Sequence, residues 1–230
     1  MQQALVSGST KGIGKSVTKM LLKLGYEVVG LSRQEPAQKP KGYTHIEVDL
    51  SKEKELFKVA EQLKNRHFDV VVNNAGFGMF RPHEELSGSQ IYSMVMLNLT
   101  APLILAKATL PSLKKRGGYL FNITSIEAVR SSKFSASYSA TKSGLKAFGD
   151  VLFEESRKTD LHVCNIIPDM TETNFFDNLG FGVTDKTSQK LFAQDIADAI
   201  EHILGLRDGI VVQNYMVRSL HFGIAKGKQN

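Results

Sequence analysis

From one end of the chain to the other, short and nearly continuous apolar runs alternate with stretches whose apolar residues recur at helical spacing. The runs cover residues 4–6, 26–31, 43–48, 68–72, 119–123, 161–167 and 210–213. A strand buried on both faces needs apolar side chains pointing both ways, so such runs predict a parallel sheet covered by helices. Between them Ile13, Val17, Met20, Leu21 and Leu24 recur with helical period before Gly25. Leu56, Val59, Ala60 and Leu63 repeat the pattern, as do Ile196, Ile200, Ile203 and Leu204. This β-α-β-α order predicts an α/β fold, a doubly wound, Rossmann-type parallel sheet with helices on both faces, in one domain over 1–230. With 230 residues, 42% of them hydrophobic, the chain is large enough to bury a core and too apolar for disorder. Residues 168–192 break the rhythm with Pro, Thr, Asn and Gly around Met170, Phe175, Phe176 and Phe181, and predict a substrate lid with an apolar wall.

Several function classes drop out. One cysteine, Cys164, excludes an internal disulfide framework and a multi-thiolate zinc site, and fits a reducing compartment; the expected location is cytoplasmic. The six histidines show no His-x-x-x-His spacing, so no metal is expected. The segment from Met1 to Val6 lacks the basic start and long apolar run of a signal peptide. The most apolar stretch, 91–110, is interrupted by Asn98, Thr100, Pro102 and Lys107, which predicts a buried helix and no membrane partner. A balance of 29 Lys+Arg against 23 Asp+Glu leaves +6, which favours an anionic ligand. The nearest basic cluster, Lys226-Gly227-Lys228, is too short for a nucleic-acid arm, so no nucleic acid is expected.

The first run turns into Ser7-Gly8-Ser9-Thr10-Lys11-Gly12-Ile13-Gly14 where a helical stretch begins. Glycines permit a sharp turn and a close approach of backbone to pyrophosphate, and the helix N-terminus offers it free N–H groups. At the first strand–helix junction of a β-α-β run, this predicts dinucleotide binding. NAD sites place a carboxylate ~20 residues further on. Here the chain reads Gly30-Leu31-Ser32-Arg33, without one. A guanidinium pairs with a 2′-phosphate, and Lys11 and Thr10 can reach the same group, so NADP(H) is the expected cofactor. Asp49 and Leu50 are expected beside the adenine.

Ser125 closes the fifth run, and Tyr138 and Lys142 stand at i and i+4 in a helical stretch, on one face. An ammonium near a phenol is expected to lower its pKa from ~10 toward a useful acid–base range. Ser125, at a strand's carboxyl end, lies where open α/β sheets bind ligands.

In this order the motifs resemble the short-chain dehydrogenase/reductase family over nearly the whole chain. Ser7 to Gly14 resembles its glycine turn, with Ser7 where threonine is usual. Asn73-Asn74-Ala75-Gly76 matches the motif that supports the sheet and borders the cofactor ribose. Asn98, Ser125, Tyr138 and Lys142 match the catalytic positions. The resemblance implies cofactor contacts from Pro168, and contacts to the nicotinamide carboxamide from Thr171 and Thr173. Asp169 stands where the family has glycine, a departure that bears on the loop path and adds a negative charge. The implied activity is reversible hydride transfer between NADP(H) and a carbonyl/secondary alcohol pair, most simply reduction of a small-molecule ketone or 3-oxoacyl compound. Tyr138 would donate the proton, Ser125 hold the oxygen, Lys142 tune Tyr138 and bind the ribose, and Asn98 hold a relay water. A homodimer or homotetramer through 89–115 and 136–157 is implied too. The alternative is a non-catalytic NADP-binding sensor of the same fold.

Overall fold

The computed structural model describes residues 1–130 and 132–226, so Gly227 and Lys228 of the short basic tail lie outside the described residues. The first half of the chain forms β1 (Gln3–Ser7), α1 (Gly12–Lys23), β2 (Glu27–Ser32), β3 (Tyr43–Glu47), α2 (Glu53–Leu63) and β4 (Val70–Asn73). There follow α3 (Gly88–Val95), α4 (Ala101–Arg116), β5 (Tyr119–Ile123), α5 (Ala136–Glu155) and β6 (His162–Pro168). The last part holds β7 (Thr171–Glu172), β8 (Phe181–Gly182), β9 (Leu191–Phe192), α6 (Ala193–Leu204), β10 (Asn214–Val217) and β11 (Ala225–Lys226).

Seven strands form a parallel sheet in the order β10-β6-β5-β4-β1-β2-β3. The chain builds outward from β1 to β3, then crosses back to the other side of β1 with β4. That reversal opens a crevice at the carboxyl ends of β1 and β4, the usual ligand position in such sheets. Side chains alternate between two cores, as a strand's period of two requires. Ala4, Val6, Val70, Val72, Phe121, Ile123, Cys164 and Ile166 face the core filled by Val17, Met20 and Leu21 of α1 and Ile196, Ile200 and Ile203 of α6. Leu5, Val71, Leu120 and Val163 face the other, filled from α2, α4 and α5 by Leu56, Leu105, Leu113 and Leu152. Burial also pushes the Cys164 thiol up to about 12, so it behaves as a small apolar group.

The last strand differs from expectation: it is Asn214–Val217, not 210–213. A row of amides that hydropathy does not register runs into the start of this strand. Asn73, Asn122, Asn165 and Asn214 lie in register on four adjacent strands. Asn73 Nδ2 donates to Asn122 Oδ1 at 2.9 Å, and Asn122 Nδ2 to Asn165 Oδ1 at 3.2 Å. Asn165 Nδ2 donates to Asn214 Oδ1 at 3.2 Å as well as to the Lys146 carbonyl and Asp150 Oδ1, so this buried amide is fully engaged where the edge strand begins.

Among the described residues, Gly88–Arg116 is the one helical stretch long and apolar enough to cross a membrane. In the fold it lies against the sheet, with Met94, Met96, Leu105, Ala106 and Leu113 buried, as the interrupting polar residues predicted. Ser87 and Gln90 form a capping box at its start. A π-helical turn over Met96–Thr100 separates α3 from α4 and carries Asn98. The segment 168–192, the expected lid, is held by two short ladders, β7 beside β9 and β8 antiparallel to β11.

Candidate active site

A cleft of about 1390 Å³ runs along the carboxyl ends of the strands, from the β1–α1 turn to the lid. Its first half is made largely of backbone. Gly8 (φ +67°) and Gly12 (φ +50°) hold left-handed conformations that side chains resist. A Cβ on Gly8 would lie 2.9 Å from Asn74 Nδ2, and one on Gly14 only 2.1 Å from the Gly8 carbonyl oxygen. Ser7 fills the role of the usual threonine: its Oγ accepts from the N–H groups of Asn74 at 2.9 Å and Ala75 at 3.0 Å. Asn74 Nδ2 donates back to the carbonyls of Ser7 at 2.9 Å and Gly8 at 3.2 Å. The turn and the Asn-Asn-Ala-Gly motif are therefore one hydrogen-bonded unit.

Gly8, Thr10, Lys11, Gly12, Ile13, Ser32, Arg33, Asp49, Leu50, Asn74, Ala75, Gly76, Pro168, Thr171 and Thr173 all line this cleft. Ser9 and Gly14 do not. Ser9 Oγ is buried on Tyr43 Oη at 2.8 Å, and Gly14 lets α1 pack against the turn, so both support the site from behind. Burial pushes the Asp49 carboxyl up, but hydrogen bonds from Ser51 and the charges of Arg33 and Lys52 hold it below the usual range. The groove fits a dinucleotide: a glycine cradle a Cβ would fill, a helix start, and cationic Lys11 and Arg33 at the far rim.

At the other end Ser125 follows β5, its Oγ accepting from Glu127 N–H at 3.2 Å. Tyr138 and Lys142, 5% and 4% exposed, share one face of α5. Lys142 Nζ donates to the Ile123 carbonyl at 2.9 Å and lies 6.0 Å from the Tyr138 ring centroid. Asn98 lies behind the cleft wall. Its Oδ1 accepts from Phe77 N–H at 3.0 Å, while its Nδ2 donates to the Phe77 carbonyl at 2.8 Å and to Thr141 Oγ1 at 3.2 Å. It clamps the loop after Gly76 to the helix that carries Tyr138 and Lys142.

The expected softening of the phenol is not found. Burial pushes Tyr138 up to about 12; a hydrogen bond with Ser125 offsets part of this and the Glu127 charge adds to it. Burial likewise pushes Lys142 down to about 8. Desolvation disfavours both charged forms, and the ammonium is bound to a carbonyl rather than to the phenol oxygen. Tyr138 is therefore protonated at neutral pH, the state a proton donor needs.

The family profile described as short chain dehydrogenase matches residues 2–181. This chain belongs to the short-chain dehydrogenase family. The chain is 28% identical over 224 residues to an uncharacterized oxidoreductase of Staphylococcus epidermidis, with 94% of this chain and 96% of that one covered. It is 28% identical over 201 residues to a 3-ketodihydrosphingosine reductase of Bacteroides thetaiotaomicron, covering 86% and 72% of the two chains. Its structure matches an alcohol dehydrogenase from Thermococcus sibiricus complexed with 5-hydroxy-NADP at a TM-score of 0.83 and 27% identity, covering 96% and 97%. A 4-hydroxyisoleucine dehydrogenase complexed with NADH matches at 0.82 and 22% identity over 95% and 98%, a likeness of fold alone. Structures solved with NADP-type and NAD-type cofactors thus share this architecture.

Asp169 is accommodated without glycine's freedom. Among the described non-glycine residues only Phe134 has a positive φ, so position 169 uses ordinary backbone space. The added charge is paired: Arg218 Nε donates to Asp169 Oδ2 at 3.0 Å, and Met170 N–H donates to Oδ1 at 2.9 Å.

Two cleft residues escaped sequence reasoning. Glu127 is buried and accepts from Arg130 Nη2 at 2.9 Å, Ser132 Oγ at 2.7 Å and Ser135 Oγ at 3.1 Å. Burial raises its carboxyl, yet these donors hold it below the usual range, so a fixed negative charge ties the loop before α5 to the turn after Ser125. The serine-rich stretch from Ser132 to Ser139 was its trace in the sequence, but nothing there named the acceptor. The other is Phe80, the aromatic residue ending the glycine-rich loop after β4.

Proposed function

We propose that this dehydrogenase is an NADP(H)-dependent carbonyl reductase, acting on a ketone or 3-oxoacyl group and reversibly on the secondary alcohol. The observation that carries the reading is one continuous cleft with the glycine cradle at one end and Ser125, Tyr138 and Lys142 at the other. When bound, the dinucleotide supplies the hydride equivalent of the reduction. The turn from Gly8 to Gly14 would hold its pyrophosphate, Asp49 and Leu50 its adenine, and Gly76, Lys142, Pro168, Thr171 and Thr173 its nicotinamide half. Arg33, with Lys11 and Thr10, would meet a 2′-phosphate; no carboxylate stands at the end of β2 to favour a free hydroxyl.

The protein's own groups do the proton chemistry. Tyr138 Oη gives its proton to the substrate oxygen as negative charge develops there, and Ser125 Oγ donates a hydrogen bond to the same atom. Lys142 holds the ribose side and returns a proton toward Tyr138; Asn98 positions its helix. A water-poor setting, with Tyr138 and Lys142 buried, strengthens each of these interactions. We also infer a cytoplasmic homodimer or homotetramer, its interface using exposed Tyr92 and Val95 on α3 and Val151 on α5; light scattering that reads a monomer would remove the assembly.

The test is NADPH oxidation in the presence of a ketone panel by the protein and by Tyr138→Phe. The variant is expected to bind NADPH with unchanged affinity, read from nucleotide fluorescence, and to lose about 10²–10⁴-fold in kcat. Retained turnover would refute the proton-donor role. NADPH binding with no turnover on any carbonyl would point to the sensor alternative.

A further inference from the structure

Four phenylalanines from two segments close into a ring at the substrate end. Phe80 meets Phe181 at 5.0 Å between centroids, Phe181 meets Phe176 at 5.9 Å, Phe176 meets Phe175 at 5.2 Å, and Phe175 returns to Phe80 at 6.4 Å. All four contacts are edge-to-face or nearly so, the arrangement that attracts ring edge to ring face. Two of the rings rest on Tyr138, Phe80 at 5.2 Å and Phe175 at 5.7 Å. Gly78 permits this closeness: a Cβ there would sit 2.7 Å from Phe175 Cζ, 2.8 Å from Phe80 Cε2 and 3.2 Å from Tyr138 Cδ2. Backbone pairing of Phe181 with Lys226 holds the lid's part of the wall in place. The four rings line the same cleft as Ser125 and Tyr138, and two of them lie against Tyr138 itself.

We infer that Phe80, with Phe175 and Phe181, determines specificity for ketones carrying an aryl or compact apolar group next to the carbonyl. This rests on the carbonyl-reducing reading above. The carbonyl oxygen must lie at Ser125 and Tyr138, and the rings against Tyr138 then border one flank of the carbonyl carbon. An aryl or branched alkyl group on that flank exchanges water for ring faces. A hydroxylated flank would lose its hydrogen bonds to water with only ring carbon opposite, and is rejected. Two acidic groups of the cleft lining are already engaged, Glu127 by Arg130 and serines and Asp169 by Arg218.

The experiment compares kcat/KM for acetophenone and dihydroxyacetone with NADPH, in the wild type, Phe80→Leu and Phe80→Ala. A parallel titration measures acetanilide, an aryl amide that is not reduced, binding to the NADPH-saturated protein. The wild type is expected to favour acetophenone by about tenfold or more, a typical discrimination for one apolar group in a pocket. Phe80→Ala is expected to lose most of that ratio and to bind acetanilide about tenfold more weakly, with Phe80→Leu between, and NADPH affinity unchanged. Equal use of the two ketones, or a ratio and acetanilide affinity unmoved in both variants, overturns the inference. No reduction of any ketone, with acetanilide bound in a Phe80-dependent way, sinks the reductase reading and leaves the wall as an apolar binding site. Neither turnover nor acetanilide binding sinks both.

Discussion

At the end of the cleft beside the β1–α1 turn the wall is built on glycines and a hydrogen-bonded backbone; at the end beside Tyr138 it is built of bulky side chains gathered from distant segments. The first end is drawn from Ser7 to Gly14 and Asn73 to Gly76, laced by Ser7 Oγ and Asn74 Nδ2. Added atoms have little room there: a Cβ on Gly14 would press on the Gly8 carbonyl, and one on Gly8 on the Asn74 amide and the Ala75 backbone. The second end is drawn from Phe80, the loop around Glu127, α5 and the lid, where side chains press mainly on other side chains. Substitution at the first end should therefore cost binding or folding, and at the second it should change which substrate is preferred.

Three experiments sharpen or break this contrast. The largest effect lies where the two ends meet, at Lys142. Its pKa falls from 10.5 to about 8 on folding, so below pH 8 the buried charge opposes folding by up to about 3 kcal/mol. Between pH 8 and 10.5 the unfolded chain keeps a proton the folded chain has lost, so stability rises with pH across that window. Tyr138 acts in the opposite sense: its pKa rises from 10.0 to about 12, so the stability it contributes is full below pH 10 and lost as pH climbs toward 12. Denaturant melts of the nucleotide-free protein from pH 7 to 10 are expected to show a rise that Lys142→Met flattens. Identical pH slopes in the two proteins would mean the ammonium is solvated after all.

Next is Gly14→Ala, which places a Cβ 2.1 Å from the Gly8 carbonyl oxygen. Such overpacking is expected to cost about 1–3 kcal/mol in chemical melts and to abolish tight nucleotide binding by calorimetry. Wild-type stability and affinity would show that the turn is softer than its packing implies. The smallest effect is expected for exposed Arg33: Arg33→Ala should weaken NADPH about tenfold and leave NADH within about twofold, since only the 2′-phosphate contact is lost. Equal weakening of both nucleotides would break the assignment of NADP(H).

The residues differ in how openly the sequence displayed their roles. Gly8, Gly12 and Gly14 were legible because a tight turn against a helix start needs glycine locally, wherever the rest of the chain goes. Tyr138 and Lys142 were legible because helix geometry alone puts i and i+4 on one face. Their pKa values were not, since these follow from how deeply α5 is buried, a property of the packed domain. Asn98 carried its place in the motif order but not its side chain's task, which depends on a π-helical turn facing Phe77 and Thr141. The edge strand lies at Asn214–Val217 rather than 210–213, and the amide ladder it joins spans four strands and shows only once they are side by side.

The chain's own pattern determined the doubly wound sheet, the position of the cleft and the family, because periodicity, turn chemistry and helix spacing act over a few residues at a time. The tertiary structure alone decided the protonation of Tyr138 and Lys142, the engagement of Glu127 and Asp169, and the aromatic wall over Tyr138. Those depend on burial and on contacts between residues far apart along the chain, such as Phe80 and Phe181 or Asp169 and Arg218. Desolvation and side-chain packing act through space, and no local reading of the residues contains them.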